Sequence, residues 1–263
     1  MPTPLLLLEH FGGIARGVQL APFGCTRRNL SDAVRRGEVL RLRPGVFAAP
    51  ASAPGLRAAA LHGGALTCAS ALRMHGVWVL EDDTVPHVWL GAAGRTHTHV
   101  SCRCVEHFRP GTMQLGLAPV ELALVHSFRC HGEEFFFAAY ESAWRQRLIG
   151  RVARSRIRSA LPASARWLVD LAREDADSGL ESIVRLRLYL LGIVVQTQTT
   201  IADVGRVDFV LEGRVILEID GRENHDGPSQ RHRDLCGTPE RPAEATRHSA
   251  STTRWSCTDG RRC

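Results

Sequence analysis

The sequence contains no lysine, so arginine supplies all 33 of its basic side chains. No mechanism of this protein can therefore use a lysine ammonium. A GC-rich genome explains this bias best, because arginine codons are GC-rich and lysine codons are not. The net charge of +6 and the pI of about 9.2 fit a nucleic-acid partner without requiring one.

The sequence also lacks a long apolar run. Leu5–Leu8 is too short for the hydrophobic part of a signal peptide, and no basic segment precedes it. No stretch approaches the length of a membrane span. We therefore expect a cytoplasmic protein without a membrane partner. Its 263 residues, 44% hydrophobic and 23% charged, predict one large or two small globular domains.

Eight cysteines are present, but their spacing fits neither a secreted disulfide framework nor a zinc knuckle. Cys102 and Cys104 are too close together for the usual knuckle, and no second pair matches them. Several histidines nearby lack a cysteine or carboxylate at ligand spacing, namely His75, His97, His99 and His107. We interpret these histidines as polar surface or hydrogen-bonded core residues, and the cysteines as free thiols in a reducing cytosol.

Residues 1–49 are predicted to form a winged helix-turn-helix. Leu5–His10 and Gly12–Leu20 are predicted as two short helices. Thr26 can cap a third helix, from Arg27 to Arg36. A β-hairpin is expected next, because residues 39–47 alternate around a Pro-Gly turn. Three helices followed by a hairpin is the order of the winged helix.

Arginines are concentrated on the third helix and the hairpin, where such domains contact phosphates and DNA grooves. They are Arg27, Arg28, Arg35, Arg36, Arg41 and Arg43. A surface that docks DNA or a protein is favoured over the alternative, a solvated face of an arginine-rich protein.

Three stretches of this segment match a known pattern: residues 12–15 (GGIA), 33–37 (AVRRG) and 42–47 (LRPGVF). On these residues, the segment resembles the N-terminal domain of AbiEi-type antitoxins, which that family uses as a winged-helix module. The resemblance implies DNA as a partner, at the protein's own promoter, or a cognate toxin.

Residues 50–160 are predicted to form an α+β middle segment. Its expected elements are a small-residue helix starting near Ala65, strands at His87–Leu90 and His99–Val105, and helices at Val120–Phe128 and Glu133–Leu148. Six arginines and no acid lie between Trp144 and Arg158. This basic strip fits a solvated helix and a nucleic-acid contact equally well.

Residues 165–235 are predicted to form an αβ core. An amphipathic helix starts at Ser178, and strands are expected at Gln196–Ile201, Arg206–Leu211 and Val215–Asp220. Acidic residues occur in the last two strands, where they are unfavourable unless they are paired or bind a metal. One helix followed by three strands is the order of the restriction-endonuclease core.

The acidic residues are expected to share one face of the sheet. Glu218 and Asp220 are two residues apart, so they project from the same side of their strand. If residues 212–214 form a three-residue loop, Asp208 falls opposite Glu218, whereas a two-residue loop would turn it away. Converging carboxylates bind hard divalent cations, which activate water and neutralise a scissile phosphate. We therefore expect Mg²⁺ or Mn²⁺.

A longer pattern runs through this region: Glu181, Asp208-Phe209, Glu218-Ile219-Asp220-Gly221, His225 and Arg233-Asp234. It looks like the PD-(D/E)XK superfamily, in which an acid on one strand precedes acid-x-Lys on the next. It is more similar still to a domain of unknown function related to the very-short-patch repair endonucleases.

This second resemblance implies metal-dependent hydrolysis of DNA. Asp208 and Glu218 would be metal ligands, and Asp220 would join them in the place of the usual lysine. That departure leaves the water-activating role open. His225 would be the general acid or base, and Glu181 a further catalytic residue.

Each of these residues has a simpler interpretation. Glu181 lies three residues after Ser178 and fits the second half of a capping box. His225 fits an ordinary loop histidine, and Asp220 a turn that ends its strand. Asp208 fits an ion pair with a neighbouring arginine, Arg206 or Arg214.

Residues 236–263 are predicted to be a disordered polar tail, since they contain no aliphatic side chain larger than alanine. GC-rich codons from Cys236 onward, read two nucleotides later, can encode a helix-like start and a strand-like run. We therefore hypothesise a frameshift near Cys236, which would remove the last elements of the nuclease core.

These observations favour a metal-dependent DNA endonuclease, whether or not this chain retains activity. The first alternative is a non-enzymatic, antitoxin-like transcriptional repressor that binds DNA. The second alternative is a protein–protein adaptor.

Overall fold

The computed structural model describes residues 2–100, 102–202, 205–219 and 255–256. These residues form a mixed α+β protein with several sheets. The chain divides into two compact units, residues 1–172 and residues 173–263. Within the described ranges, no helix is both long and apolar enough to cross a membrane.

The first unit begins with small helices around a short sheet. Its elements are α1 (Pro4–His10), β1 (Ile14–Arg16), α2 (Gly17–Leu20), α3 (Arg27–Arg35), β2 (Leu40–Arg43) and β3 (Val46–Ala48), with a 3₁₀ turn at Ala21–Phe23. The antiparallel sheet has the order β1-β3-β2. The predicted β-hairpin is therefore confirmed.

Local signals account for the third helix but not for the second. Thr26 caps α3, because its Oγ1 accepts a hydrogen bond from the Asn29 backbone N–H at 3.1 Å. The helix predicted over Gly12–Leu20 was wrong in its first half. Gly12 and Gly13 adopt φ angles of +74° and +90°, which turn the chain so that Ile14 pairs with Ala48 as β1.

The middle segment follows within the same unit. Its elements are α4 (Pro54–His62), β4 (Ala65–Leu66), α5 (Cys68–Met74), β5 (His87–Trp89), β6 (Val105–His107), β7 (Gly116–Leu117), α6 (Val120–Arg145) and α7 (Arg151–Ala160). A 3₁₀ turn at Ala163–Ala165 and α8 (Arg166–Leu171) complete the first unit. Its sheet has the order β6-β5-β4-β7, in which only the β4–β5 pair is antiparallel.

The predicted middle elements are present with shifted bounds. The helix expected near Ala65 starts at Cys68, because Ala65 pairs with Trp89 in the sheet. The strand predicted over His99–Val105 was misplaced, since β6 begins where that prediction ends. The two predicted long helices form α6, which is kinked at Gly132 (φ +83°). Beyond this kink, Phe135–Tyr140 is fully buried and anchors the core.

The second unit contains the predicted helix and three strands. Its elements are α9 (Gly179–Leu190), β8 (Val195–Ile201), β9 (Gly205–Leu211), β10 (Val215–Glu218) and β11 (Trp255–Ser256). The sheet has the order β11-β10-β9-β8, and β11 runs parallel to β10. Apart from β11, the tail and the hypothesised frameshift lie outside the described residues.

The turn between β9 and β10 sets the register of the acidic residues. Leu211 pairs with Val215, so the loop has three residues, the first of the two lengths that the sequence left open. Glu212 and Gly213 adopt φ angles of +49° and +67° in this loop. The odd loop length places Asp208 opposite Glu218 rather than on the other face.

Candidate nucleic-acid interface and metal-binding groups

Two arginines at the start of α3 are exposed. Arg27 and Arg28 occupy the first turn of the helix, and within the described part of the chain neither has a carboxylate partner. Arg41 lies on β2 and is also exposed. Leu30 and Ala33 are the residues of α3 that are buried in the core. The exposed guanidinium groups of this region are therefore available to anionic ligands.

The other predicted DNA contacts have partners inside the protein. Arg35 forms an ion pair with Asp32, and Arg36 holds Glu38 through two hydrogen bonds of 2.7 and 3.0 Å. Arg43 is half-buried and donates a hydrogen bond to the carbonyl oxygen of Ala60 at 2.9 Å. Burial, followed by the charge of a neighbouring arginine, lowers the pKa of Arg43.

The basic strip near α7 is also partly neutralised. Arg156 binds Glu121 through contacts of 2.9 and 2.6 Å, and Arg158 binds Asp170 through two contacts of 2.8 Å. The guanidinium of Arg154 stacks 3.7 Å above the Trp144 ring. These contacts favour the interpretation of the strip as a helix surface that packs within its own unit.

Two carboxylates of the predicted metal site lie side by side across β9 and β10. Asp208 is only 6% exposed, and its Oδ2 accepts a hydrogen bond from the Ile219 backbone N–H at 2.9 Å. The Asp208 N–H in turn donates to Glu218 Oε2 at 3.4 Å. Asp220 and His225 lie outside the described residues. The structure thus brings together two of the three predicted ligands and leaves the third undescribed.

Glu181 is buried at the start of α9. Ser178 Oγ accepts its backbone N–H at 3.2 Å, which is the first half of a capping box. In a capping box, the second hydrogen bond would come from the Ser178 N–H, but here the N–H of the preceding residue, Asp177, donates to Glu181 Oε2 at 3.1 Å. The side chain of Gln198 donates to the same oxygen at 2.8 Å. Burial, followed by the charge of Asp208, raises the pKa of Glu181 to about 7.

One of the two arginines considered as alternative partners of Asp208 pairs with a different carboxylate. Arg206 forms an ion pair with Asp177, with 3.4 Å between Nη2 and Oδ2. A small cleft beside Glu181 is lined by residues of α9, β8 and β9, including Arg185 and Phe209. Glu181 is therefore both a helix-capping residue and an acidic group on the wall of a cleft.

Two groups of metal-ligating side chains occur elsewhere, in the middle segment. Within the described residues, the core Cys/His group comprises Cys68, His87, His107 and Cys130, and the loop Cys/His group comprises His62, His99, Cys102 and Cys104. In each group, the four ligand atoms lie within 4.8 Å of one another. Neither group includes Asp208 or Glu218.

Neither group was predicted from the sequence. His99 and His107 belong to them, against the interpretation of both as surface or hydrogen-bonded core histidines, whereas His75 and His97 belong to neither. The ligands of the core group come from positions as far as 62 residues apart, so spacing rules could not connect them. Only the local density of cysteine and histidine between His97 and His107 could have indicated a metal site.

The N-terminal segment is similar to a known class of transcriptional regulators. Residues 4–50 match the model of a family described as transcriptional regulator, AbiEi antitoxin. This match covers α1 to β3 and ends before the middle segment. No curated protein matches the chain.

Proposed function

We propose that the protein is a DNA-binding transcriptional regulator of the antitoxin kind. The observation that supports this most is the pair Arg27 and Arg28, exposed on the third helix of the antitoxin-like segment. In a winged helix, the N-terminal residues of this helix contact base edges, and the hairpin contacts the backbone. Arg41 on β2 would then bind a phosphate.

The charges of this surface decide which arginines bind DNA. A guanidinium with a carboxylate partner must lose that partner or share it before it neutralises a phosphate. Arg35 and Arg36 have such partners, whereas Arg27 and Arg28 have none among the residues that the structure describes. We therefore assign the dominant contacts to the start of α3, and the weaker ones to its end.

The test compares two double variants of equal charge on the same helix. Arg27→Ala with Arg28→Ala should weaken binding about tenfold for each lost contact, as expected for a charge-assisted hydrogen bond. It should also lower the salt dependence by about two counterions. Fluorescence anisotropy would measure both effects, with the protein's own promoter and a scrambled duplex at several salt concentrations.

Arg35→Ala with Arg36→Ala is the matched control and should change affinity much less. Equal losses in both variants would show that net charge, rather than contact by α3, governs binding. A folded protein that prefers neither duplex and binds both only weakly would contradict the proposal that it is a transcriptional regulator.

A second candidate function, metal-dependent cleavage of DNA, is favoured by the adjacent carboxylates of Asp208 and Glu218. Mg²⁺ is commonly held by one or two protein carboxylates together with waters, so this pair fits its donor set. Bound there, Mg²⁺ would supply charge for a scissile phosphate. Glu181, with its raised pKa, is a candidate to exchange a proton near neutral pH.

Asp208→Asn tests this second function. Asparagine keeps an oxygen to accept the Ile219 N–H but removes the charge that binds a metal. A nuclease should lose about 1,000-fold in Mg²⁺-dependent cleavage of supercoiled DNA, equivalent to several kcal/mol of charge stabilisation. Its DNA binding should be unchanged.

Glu212→Gln, in the exposed turn of the same hairpin, is the control and should cleave like the parent. Cleavage that survives in Asp208→Asn would assign the activity to a different site. A parent protein that binds DNA but does not cut it in Mg²⁺ or Mn²⁺ would contradict the nuclease function and agree with the transcriptional regulator.

A further inference from the structure

The core Cys/His group has the dimensions of a single bound ion. Sγ of Cys68 and Sγ of Cys130 are 3.9 Å apart. Nε2 of His107 lies 3.5 Å from the first sulfur and 3.8 Å from the second. The same nitrogen is 3.3 Å from Nδ1 of His87. All four ligand atoms therefore surround one small volume.

These separations agree with the edges of a zinc tetrahedron. Zinc binds sulfur at about 2.3 Å and imidazole nitrogen at about 2.05 Å. Tetrahedral geometry then places two sulfurs about 3.8 Å apart, sulfur and nitrogen about 3.5 Å apart, and two nitrogens about 3.3 Å apart. Each measured distance lies within about 0.3 Å of its edge. We propose that this group, Cys68, His87, His107 and Cys130, is a structural zinc site.

The backbone around the sulfurs is shaped to bring them together. Cys68 is fully buried at the first position of α5 and adopts φ +55°, a left-handed conformation that is unfavourable for a residue with a side chain. Cys130 lies two residues before the kink at Gly132 in α6. Both irregularities occur next to a ligand, as expected where a bound ion offsets their cost.

A buried carboxylate supports one of the histidine ligands from behind. Nδ1 of His87 faces Nε2 of His107 in the core Cys/His group, while its own Nε2 lies 3.5 Å from Oδ1 of Asp83. The Asp83 side chain is fully buried and also contacts His131 at 2.8 Å and the Ser70 N–H at 2.8 Å. A carboxylate on the far nitrogen fixes the orientation and tautomer of a zinc-bound histidine.

The donor set selects among metals. Two thiolates and two imidazoles suit Zn²⁺, whereas Mg²⁺ and Ca²⁺ prefer oxygen. All ligand atoms lie within 4.8 Å of one another, which suits one ion better than the two irons of a cluster. The 3.9 Å between the sulfurs also excludes a disulfide, whose bond is about 2.05 Å.

The loop Cys/His group supports a second zinc site independently. His62 Nδ1 lies 3.1 Å from Sγ of Cys102, and His99 Nε2 lies 3.9 Å from Sγ of Cys104. On its far side, His62 Nε2 contacts Oε1 of Glu106 at 2.8 Å. This group therefore repeats the two-sulfur, two-nitrogen donor set with its own carboxylate behind a histidine.

Metal content and Co²⁺ spectra of the full-length chain test both sites. The protein purified under reducing conditions with zinc should contain two zinc ions per chain by mass spectrometry. After exchange, Co²⁺ should give the visible bands of a tetrahedral ion and a thiolate charge-transfer band. A folded parent that holds no zinc, or that binds Co²⁺ only in octahedral form, would overturn the proposal.

Cysteine variants assign each ion to its group. Cys68→Ser with Cys130→Ser should remove one zinc ion and half of the charge-transfer intensity, and Cys102→Ser with Cys104→Ser should remove the other. Cys25→Ser, which changes a buried thiol outside both groups, should retain two. Should a double variant not fold, Co²⁺ titration of the parent still decides the stoichiometry. If the parent holds a single zinc ion, and only one of the two double variants loses it, the site at the other cysteine pair is refuted.

Discussion

Removal of zinc is expected to unfold the middle segment and to lower its melting temperature by tens of degrees. Zinc in structural sites binds with about 10–16 kcal/mol of apparent free energy, which equals or exceeds the stability of a typical domain. The sheet that holds His87 and His107 consists of strands of only two or three residues. Such strands are too short to be stable without further constraints.

Circular dichroism before and after treatment with a zinc chelator would measure this effect. Added Zn²⁺ should restore the helical signal and the melting temperature, whereas Mg²⁺ should not, because it does not bind thiolates. A chelated protein that contains no zinc, yet melts like the untreated one, would mean that hydrogen bonds alone hold the two Cys/His groups.

Gly64→Ala is expected to destabilise the first unit by more than about 3 kcal/mol. A Cβ atom on Gly64 would lie 2.2 Å from the Trp89 carbonyl oxygen and 2.7 Å from Cγ1 of Val88. The oxygen belongs to the backbone of β5, so it cannot move without breaking the pairing of β4 with β5. For a unit of this size, the melting temperature should fall by about 6 to 12 °C.

Gly55→Ala provides the matched control. Gly55 lies in α4, and its added Cβ would meet only the Leu66 side chain, at ordinary contact distances of 3.5 and 3.6 Å. Alanine favours the helix over glycine by about 0.5–1 kcal/mol, so this variant should melt at the parent temperature or slightly above it. Similar melting of both variants would contradict the close approach of β4 and β5.

Features that depend on neighbouring residues were predictable from the sequence. The cap by Thr26 follows from hydroxyl chemistry at a helix start, and the Pro44-Gly45 turn from two restricted backbones. The register that places Asp208 opposite Glu218 followed from the length of one loop. In each case the relevant residues are within about ten positions of one another.

Features that arise from distant contacts were not predictable. Ile14–Arg16 is a strand only because β3 lies beside it, and no local preference of these three residues shows this. Similarly, Cys68 and Cys130 are isolated cysteines in the sequence and meet only when α5 packs near α6. For the arginines, the sequence predicted too many DNA contacts rather than too few. The number of charges could not show that Arg35 and Arg36 already have acidic partners.

The order of the two ligand sets along the chain affects how the protein would acquire its ions. Of the loop group, His62 comes first in the chain, followed by Cys68 and His87 of the core group. The other three loop ligands come next, and His107 and Cys130 of the core group come last. Because the two sets are interleaved, binding of an ion to one set also restricts the chain segments that carry the other set. The entropy lost when the second set comes together is therefore smaller. We expect the second ion to bind more tightly than the first. An ion captured by a mixed set of ligands would have to dissociate before the native arrangement forms, so metal exchange, rather than chain collapse, would limit the rate of refolding.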